Sequence, residues 1–332
     1  SYMVQVKKNI AILFGGDSAE YVISEKSAGQ VYNILQASAY QIFMIRVKEN
    51  HWALITEDGQ EYPVDLNDFS VSTNEKTKIF FDFAFIIIHG TPGEDGKLQA
   101  FLDMHKVPYN TPGVFVSALT FNKYACKLYL RNFHVLTPEA VLHTSGQDIF
   151  VDAIIRKTGL PCFVKPNNGG SSFGTTKVLK QDDLKDAVQE AMIHDKEVII
   201  ESFVKGTELS CGVLKTKSRE YIFPVTEIVP KNDFFDYEAK YIAGMADEIV
   251  PARIEQELQE KCQSISSEIY DHLGCKGLVR MDFILRGNQI FFLEVNIVPG
   301  MSRESIVPKM IRANGFTERE ILEVIIGEGL TA

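Results

Sequence analysis

The sequence has no C-x-x-C pair, no apolar run of membrane-spanning length and no excess of positive charge. Its five cysteines, Cys126, Cys162, Cys211, Cys262 and Cys275, are odd in number and scattered. They match neither a disulfide framework nor a zinc spacing, so reduced thiols in a cytoplasmic protein are expected. Lys and Arg number 34 against 44 Asp and Glu, a net charge of −10. That balance argues against a partner nucleic acid or an anionic membrane, and leaves room for a local basic pocket around a nucleotide. Lys7 and Lys8 lead straight into an apolar run, unlike a secretory signal. Neither G-x-G-x-x-G nor the Walker A pattern occurs, so the glycine-rich segments answer to no standard nucleotide fingerprint. No internal repeat or low-complexity segment interrupts the 332 residues, which are enough for two or three domains.

What is present is led by residues 278–300, LVRMDFILRGNQIFFLEVNIVPG. Residues 279–285 and 290–295 are apolar and β-branched, and Arg286-Gly287-Asn288-Gln289 carries turn chemistry, so the stretch reads as a β-hairpin. Alternation puts Arg280 and Asp282 on one face of the first strand, and Glu294 and Asn296 on one face of the return strand. Centred on Asn288, the hairpin sets Asp282 opposite Glu294 and Arg280 opposite Asn296. Met281, Phe283, Leu293 and Val295 then form the other, apolar face. Two carboxylates and an amide oxygen, without Cys or His, form a hard oxygen set suited to Mg²⁺, which takes one or two carboxylates plus substrate phosphates. Arg280 can clamp a phosphoryl group with its planar fork. Pro299-Gly300 ends the strand and exposes backbone N–H groups beside this set. The competing reading is a surface hairpin with a solvated polar face.

Upstream, residues 9–14 form a short apolar strand that runs into Gly15-Gly16-Asp17-Ser18-Ala19-Glu20 and a helix over about 24–35. Glu20 falls beyond the carboxyl end of a strand, where open α/β sheets place ligands; a solvated loop acid is the alternative. Further strands are expected over 41–47 and 79–88, with a small hairpin arm at 52–55. The second of these runs into His89-Gly90-Thr91-Pro92-Gly93-Glu94-Asp95-Gly96, again polar, and then a helix over 97–105. His89 fits an active-site electrophile or a loop stabiliser equally. A helix over 116–131 carries Lys123 and Lys127 one turn apart, a spacing that also fits a solvated basic face.

Residues 160–174, LPCFVKPNNGGSSFG, join a strand ending at Lys165 to a loop of glycines and hydroxyls. Such a loop lets backbone N–H groups approach phosphate, with Lys165 reaching in from the sheet. A helix over 182–192 precedes a buried strand over 197–203. Glu201, followed by an apolar segment, could accept from the amino group of a purine, and Glu208 could reach a ribose hydroxyl. Strands over 208–214 and 221–228, a long polar loop over 231–244 that suits a lid, a helix over 253–274 and a closing helix from Glu318 complete the chain.

Five segments in order, GGDSAE at 15–20, HGTPGEDGKLQ at 89–99, VKPNNGGSSFG at 164–174, FDYEAKY at 235–241 and RMDF…LEVNIVPGMS at 280–302, resemble the ATP-grasp superfamily and, within it, the D-alanine–D-alanine ligases. The resemblance implies an α/β (α+β) three-domain ATP-grasp architecture: an N-terminal α/β domain over 1–118, a central subdomain over 119–208 and a C-terminal subdomain over 209–332. It implies ATP and two Mg²⁺ ions, or Mn²⁺, as cofactors, and D-alanine as substrate. A homodimer is likewise expected.

Carried over by position, Lys123 and Lys165 touch the ATP phosphates. Glu201, Phe203 and Val204 hold adenine, Glu208 the ribose, and Ser172 and Lys240 join the nucleotide contacts. Asp282, Glu294 and Asn296 bind the metals. Glu20 orients the first D-alanine through Ser171 and Tyr241, with His89 nearby. Arg280 and the Gly300 N–H hold the developing charge, and Ser305 the second substrate's carboxylate. Two departures stand out. Asn296-Ile297-Val298-Pro299-Gly300 replaces the commoner Asn-Thr-x-Pro-Gly, and Tyr21-Val22 follows Glu20 where a basic and an acidic residue are frequent. Three alternatives remain open: a ligase using D-lactate, against which the resemblance sets Tyr241; another ATP-grasp dipeptide ligase; and a non-catalytic nucleotide-binding regulator.

Overall fold

A computed structural model describes residues 6–73, 77–169, 174–231 and 246–332. The first strand, β1 (Asn9–Gly15), is buried from Ile10 onward and pairs in parallel with β2 (Gln41–Lys48) and β7 (Phe83–Ile86). Between β1 and β2 lies α1 (Tyr21–Leu35), whose Ser24, Ala28, Val31 and Leu35 recur at helical spacing and face the sheet. Strands β3 (His51–Ile55), β4 (Glu61–Asp65), β5 (Ser70–Ser72) and β6 (Lys78–Phe80) extend it as an antiparallel meander, in the order β6-β5-β4-β3-β2-β1-β7.

The apolar run over 79–88 is thus two strands, not one central strand. β6 and β7 end opposite sides of the sheet, and only Phe81 and Asp82 separate them. The sheet curls until its ends meet at Asn9, whose backbone N donates to Asp82 Oδ2 (2.8 Å) and whose Nδ2 donates to the Phe80 carbonyl (2.9 Å). Polar Asp82 in an apolar run marks the break.

After α2 (Lys97–Met104), the expected single helix over 116–131 is also divided, into α3 (Val114–Phe121) and α4 (Lys123–Arg131). Asn122 is extended, and its side chain caps α4 by accepting from the Ala125 N–H at 3.0 Å. The kink turns Cys126, Lys127 and Leu130 inward.

A four-stranded antiparallel sheet follows, in the order β10-β9-β11-β8, from β8 (Ala140–Thr144), β9 (Cys162–Pro166), β10 (Thr176–Val178) and β11 (Glu197–Ser202). Cys162, Val164, Val198 and Ile200 pack one face against Leu184, Val188 and Ala191 of α6 (Leu184–Met192) and against Ile154 of α5 (Val151–Thr158). Each Val, Leu or Ile among them, buried fully, contributes about 1.5–3 kcal/mol. The opposite face carries Phe163, Lys165 and Glu201.

The third sheet runs β15-β14-β12-β16-β17, with β13 (Glu220–Ile222) paired to β12. Its members are β12 (Thr207–Lys215), β14 (Thr226–Pro230), β15 (Ala246–Ile249), β16 (Gly277–Arg286) and β17 (Gln289–Asn296). The expected strand over 221–228 is therefore split between β13 and β14. Glu208 lies within β12, opposite Ile284 of β16. Cys211, Val213, Met281 and Phe283 bury one face in the core with Cys262 and Ile269 of α7 (Gln256–Leu273). Gly274 stops α7 in the left-handed conformation. The last helices, α8 (Ile306–Ala313) and α9 (Glu318–Leu330), bring Ile321 and Ile325 into the same apolar cluster as β1 and β7. Among the described residues, no helix is long and apolar enough to cross a membrane.

Candidate active site

The β16–β17 hairpin supplies the centre of the site. Arg280 pairs with Asn296, and Asp282 with Glu294, as centring on Asn288 predicts. The turn is tighter, however: Arg286 pairs with Gln289, leaving Gly287 and Asn288 as a two-residue loop with Gly287 in the left-handed region. The two registers differ by one residue, and a bulge at Leu293 reconciles them, since Phe283 pairs with Phe292 and Asp282 with Glu294. Regular alternation from Phe292 would turn Glu294 into the core. The bulge lets Leu293 and Glu294 both face the cleft. Leu293 accordingly packs with Val204, Ile284 and Phe291, which corrects its expected place beside Met281 and Phe283.

Asp282 is fully buried, and hydrogen bonds reach it from Arg280 Nε to Oδ1 (3.1 Å), from Arg280 Nη2 to Oδ2 (3.2 Å) and from Ser210 Oγ to Oδ1 (2.8 Å). Ser210 stands opposite Asp282 on β12, a pairing that local sequence does not reveal. Asn296 Oδ1 accepts from the Val298 N–H at 3.0 Å. Beyond the strand, Gly300 comes close to Ser305: a Cβ there would lie 3.0 Å from Ser305 Oγ. Ser302 and Ser305 share a hydrogen bond between their hydroxyls (2.6 Å) at the start of α8. The Met301 N–H donates to Ser27 Oγ on α1 (3.0 Å), tying this loop to the first sheet.

From that sheet come Glu20, His89 and Glu94. Ser24 Oγ accepts from the Gly15 N–H (2.8 Å) and donates to the Ile87 carbonyl (2.5 Å), locking the ends of β1 and β7 together. Ser18 Oγ donates to the His89 carbonyl (2.9 Å), and Glu94 Oε1 accepts from the Gly90 N–H (3.0 Å). Glu20, His89 and Glu94 are all buried. Burial pushes the Glu20 carboxyl up to about 7, against the pull of Lys123 and Arg280 and with the repulsion of Glu294. The charges of Lys123 on α4 and of Arg280 and Glu294 on the hairpin thus lie near enough to act on Glu20. Burial raises Glu94 to about 8, with Glu20 adding repulsion. His89 Nδ1 lies 3.9 Å from Glu94 Oε1. Burial lowers His89 to about 4, so the ring is neutral at pH 7. Glu94 stands inside the 89–99 motif, yet its local sequence does not distinguish it from a solvated loop acid.

The third contribution comes from α4 and the four-stranded sheet. Lys123 opens α4, its Nζ donates to the Gly169 carbonyl, and its N–H donates to the Asn167 carbonyl (3.0 Å). Lys165 Nζ pairs with Glu201 Oε1 at 2.5 Å, and Lys127 Nζ pairs with Glu201 Oε2. Lys127 is 2% exposed, so the solvated-face reading of this lysine is overturned; the Asn122 break turns it inward. A cavity of about 360 Å³ opens between the two antiparallel sheets, lined by Phe163, Lys165, Glu201, Phe203, Ile284 and Leu293 among others. The Lys177 ammonium sits 4.2 Å from the centre of the Phe203 ring. Glu208 is buried on the same side of β12 as Ser210. Ser171, Ser172, Lys240 and Tyr241 lie outside the described residues, as does most of the expected lid.

The family described as D-ala D-ala ligase N-terminus matches residues 9–112, and that described as D-ala D-ala ligase C-terminus matches residues 125–327. The chain belongs to the D-alanine–D-alanine ligase family. It is 45% identical over 322 residues to the D-alanine–D-alanine ligase of Bacteroides fragilis, covering 97% of this chain and 99% of that one. Among solved structures, D-alanyl-alanine synthetase A from Vibrio cholerae aligns with a TM-score of 0.89 at 28% identity, over 99% of this chain and 100% of that one. The VanG D-Ala:D-Ser ligase from Enterococcus faecalis aligns with a TM-score of 0.84 at 29% identity, over 97% and 99%. The ligase fold is thus shared by relatives named for different second substrates. Of the two departures from the family pattern, Ile297 is packed in the main apolar core at 3% exposure. Tyr21 lies beside Gly15, with the Lys48 ammonium 5.6 Å from its ring centre.

Proposed function

We propose that this chain joins two D-alanines into D-alanyl-D-alanine at the expense of ATP, through a D-alanyl phosphate, and so supplies a peptidoglycan precursor. The observation that carries the proposal is that the charges of Lys123, Arg280 and Glu294 act on buried Glu20, while the same Arg280–Asp282/Glu294 hairpin lines the 360 Å³ cavity through Ile284 and Leu293. In this reading the cavity takes adenine between Phe203, Val204 and Leu293, Glu208 holds the ribose, and Lys123 and Lys165 meet the phosphates. Among the described residues, no cluster of three or more His, Cys, Asp and Glu makes a protein-only metal cage. Asp282, Glu294 and Asn296 fit Mg²⁺ or Mn²⁺ instead as a partial oxygen set that substrate phosphates complete. Bound there, two such ions would neutralise charge on the transferring phosphoryl group.

The chain's own residues do the rest. The Glu20 carboxyl, raised by burial, takes its anionic form when a cation arrives, and the ammonium of the first D-alanine is such a cation. Ser171 and Tyr241 complete that contact in this proposal, and neutral His89 donates or accepts a hydrogen bond near the same substrate. The first carboxylate attacks the γ-phosphorus, ADP leaves, and Arg280 with the Gly300 N–H steadies the charge on the transferred group. Ser305, linked to Ser302, orients the carboxylate of the second D-alanine. Its amine, once deprotonated, attacks the acyl phosphate, and inorganic phosphate leaves with the bonding pair. Nothing in this scheme uses a membrane or nucleic acid. A cytoplasmic homodimer, with the domain division near 118 and 208, belongs to the same proposal.

The test is phosphate release from ATP and Mg²⁺ with D-alanine, L-alanine, or D-alanine plus D-lactate, the product being identified by mass. D-Alanyl-D-alanine, lost in Glu294→Gln, is expected. A depsipeptide as the main product at neutral pH would transfer the proposal to a D-lactate ligase, and ATP binding with no turnover on any pair would leave a nucleotide-binding regulator.

A further inference from the structure

We infer that Lys127 is a positioning residue that sets the base preference of the nucleotide cavity, by holding the Glu201 carboxylate as a pure acceptor for the amino group of adenine. The inference rests on the reading of the 360 Å³ cavity as the nucleotide site.

Glu201 is 3% exposed, and its two oxygens meet different lysines, Lys165 at Oε1 and Lys127 at Oε2. The lysines are not equivalent. Lys165 lines the cavity together with Glu201, whereas Lys127 is not among the lining residues. Lys127 reaches Glu201 from α4 without lining the cavity itself, and so acts on a ligand through that carboxylate. Burying an ammonium is costly unless it is paired, so a fully buried lysine on a helix that could have carried an apolar residue there marks a demand for charge.

An ionised carboxylate offers about four acceptor sites and no donor. With one site on each oxygen given to a lysine, sites remain for an N–H from the ligand. The 6-amino group of adenine satisfies one; the 6-oxo group of hypoxanthine or guanine would set two acceptors against each other. A protonated Glu201 would lose this discrimination, because a carboxylic acid donates to a 6-oxo group. Burial favours that protonated form, and the two lysines outweigh it, holding the carboxyl near 2. Lys165 alone is a poor guarantor, since phosphate competes for its ammonium. Lys127 has no such competitor.

The experiment measures dissociation constants of ATP and inosine triphosphate with the full-length protein and Mg²⁺, without D-alanine. The proteins are the parent, Lys127→Gln, Glu201→Gln and the double variant. The parent is expected to prefer ATP by about a hundredfold. Lys127→Gln should reduce that preference by about tenfold, and the double variant should match Glu201→Gln, because Lys127 acts through Glu201 alone. An unchanged ratio in Lys127→Gln, with both nucleotides weakened equally, would make Lys127 a structural tie and overturn the inference. If Lys127→Gln does not fold, the double variant carries neither buried charge, and a ratio there below that of Glu201→Gln overturns it as well. Dipeptide synthesis by the parent together with an unchanged ratio would defeat this inference alone. Failure of the parent to bind either nucleotide would defeat the ligase proposal with it.

Discussion

The two antiparallel sheets that border the cavity share one plan and carry opposite charge. Each packs one face on helices through alternating apolar residues: Val164, Val198 and Ile200 in one, Cys211, Val213 and Met281 in the other. Each turns its other face to the cleft. The four-stranded sheet presents Lys165 and Glu201, with Lys127 reaching Glu201 from α4 and Lys177 over Phe203. The six-stranded sheet presents Asp282, Glu294 and Glu208, with Arg280 already bonded to Asp282. A polyphosphate is attracted directly by the first face. The second repels it until divalent cations intervene. Direct and metal-mediated binding should therefore fail in different ways.

The largest difference is expected from Asp282→Asn. It weakens a buried ion pair and the oxygen set together. Dipeptide formation should fall by about a thousandfold or more, and stability by about 2–3 kcal/mol in a denaturant melt. A chelator should reproduce the loss of turnover without the loss of stability. Near-normal activity in the variant would detach the acidic face from the chemistry. Lys165→Met should instead raise the KM for ATP by about tenfold to a hundredfold, with the smaller part of the effect in kcat. An equal loss in kcat and kcat/KM would assign Lys165 to the transition state and erase the contrast.

The two ends of the cleft also differ in how they hold acids. Two lysines keep Glu201 ionised, whereas burial raises Glu20 and Glu94. With Glu20 near 7, its anionic form is scarce below that pH, so the KM for the first D-alanine should fall by about tenfold between pH 6 and pH 8. Glu20→Gln should flatten that dependence while weakening binding at every pH. Stability responds with opposite signs. The contribution of Glu94, whose folded value of about 8 exceeds the ordinary value of 4.5, is full below pH 4.5 and lost as the pH rises through 8. That of Glu201 is present above pH 4.5 and lost as the pH falls towards 2. Melts of Glu94→Gln and Glu201→Gln across pH separate the two.

The hairpin shows how much of this was legible beforehand. Alternation and a turn signal placed Asp282 opposite Glu294 correctly, yet the tighter turn and the bulge at Leu293 were invisible, because a bulge leaves composition and mean period unchanged. Local polarity failed at Lys127, where the decision rested on the helix break at Asn122 and on Glu201, some 74 positions downstream in the chain. The split of 79–88 depended on sheet ends meeting at Asn9, again a long-range fact. Glu94, by contrast, stands inside the 89–99 segment, whose motif is local. Motif order was enough to identify the family, whereas burial and pairing came only with the fold.

Position 297 gives the smallest expected effect and the finest comparison with the family. Where Thr is common in relatives by resemblance, this chain has Ile297, 3% exposed within the main core, next to the Val298 backbone that meets His89. If the position serves packing here, Ile297→Thr buries a hydroxyl and removes apolar volume, which should cost about 1–2 kcal/mol of stability and leave kcat within about twofold. A stability change of that size with unaltered kinetics would mark the departure as a repacking beside an unchanged set of ligands. A rise in kcat with no loss of stability would mean that the hydroxyl has a place in the cleft after all, and that Asn296 and Gly300 are held differently in this chain than Ile297 suggests.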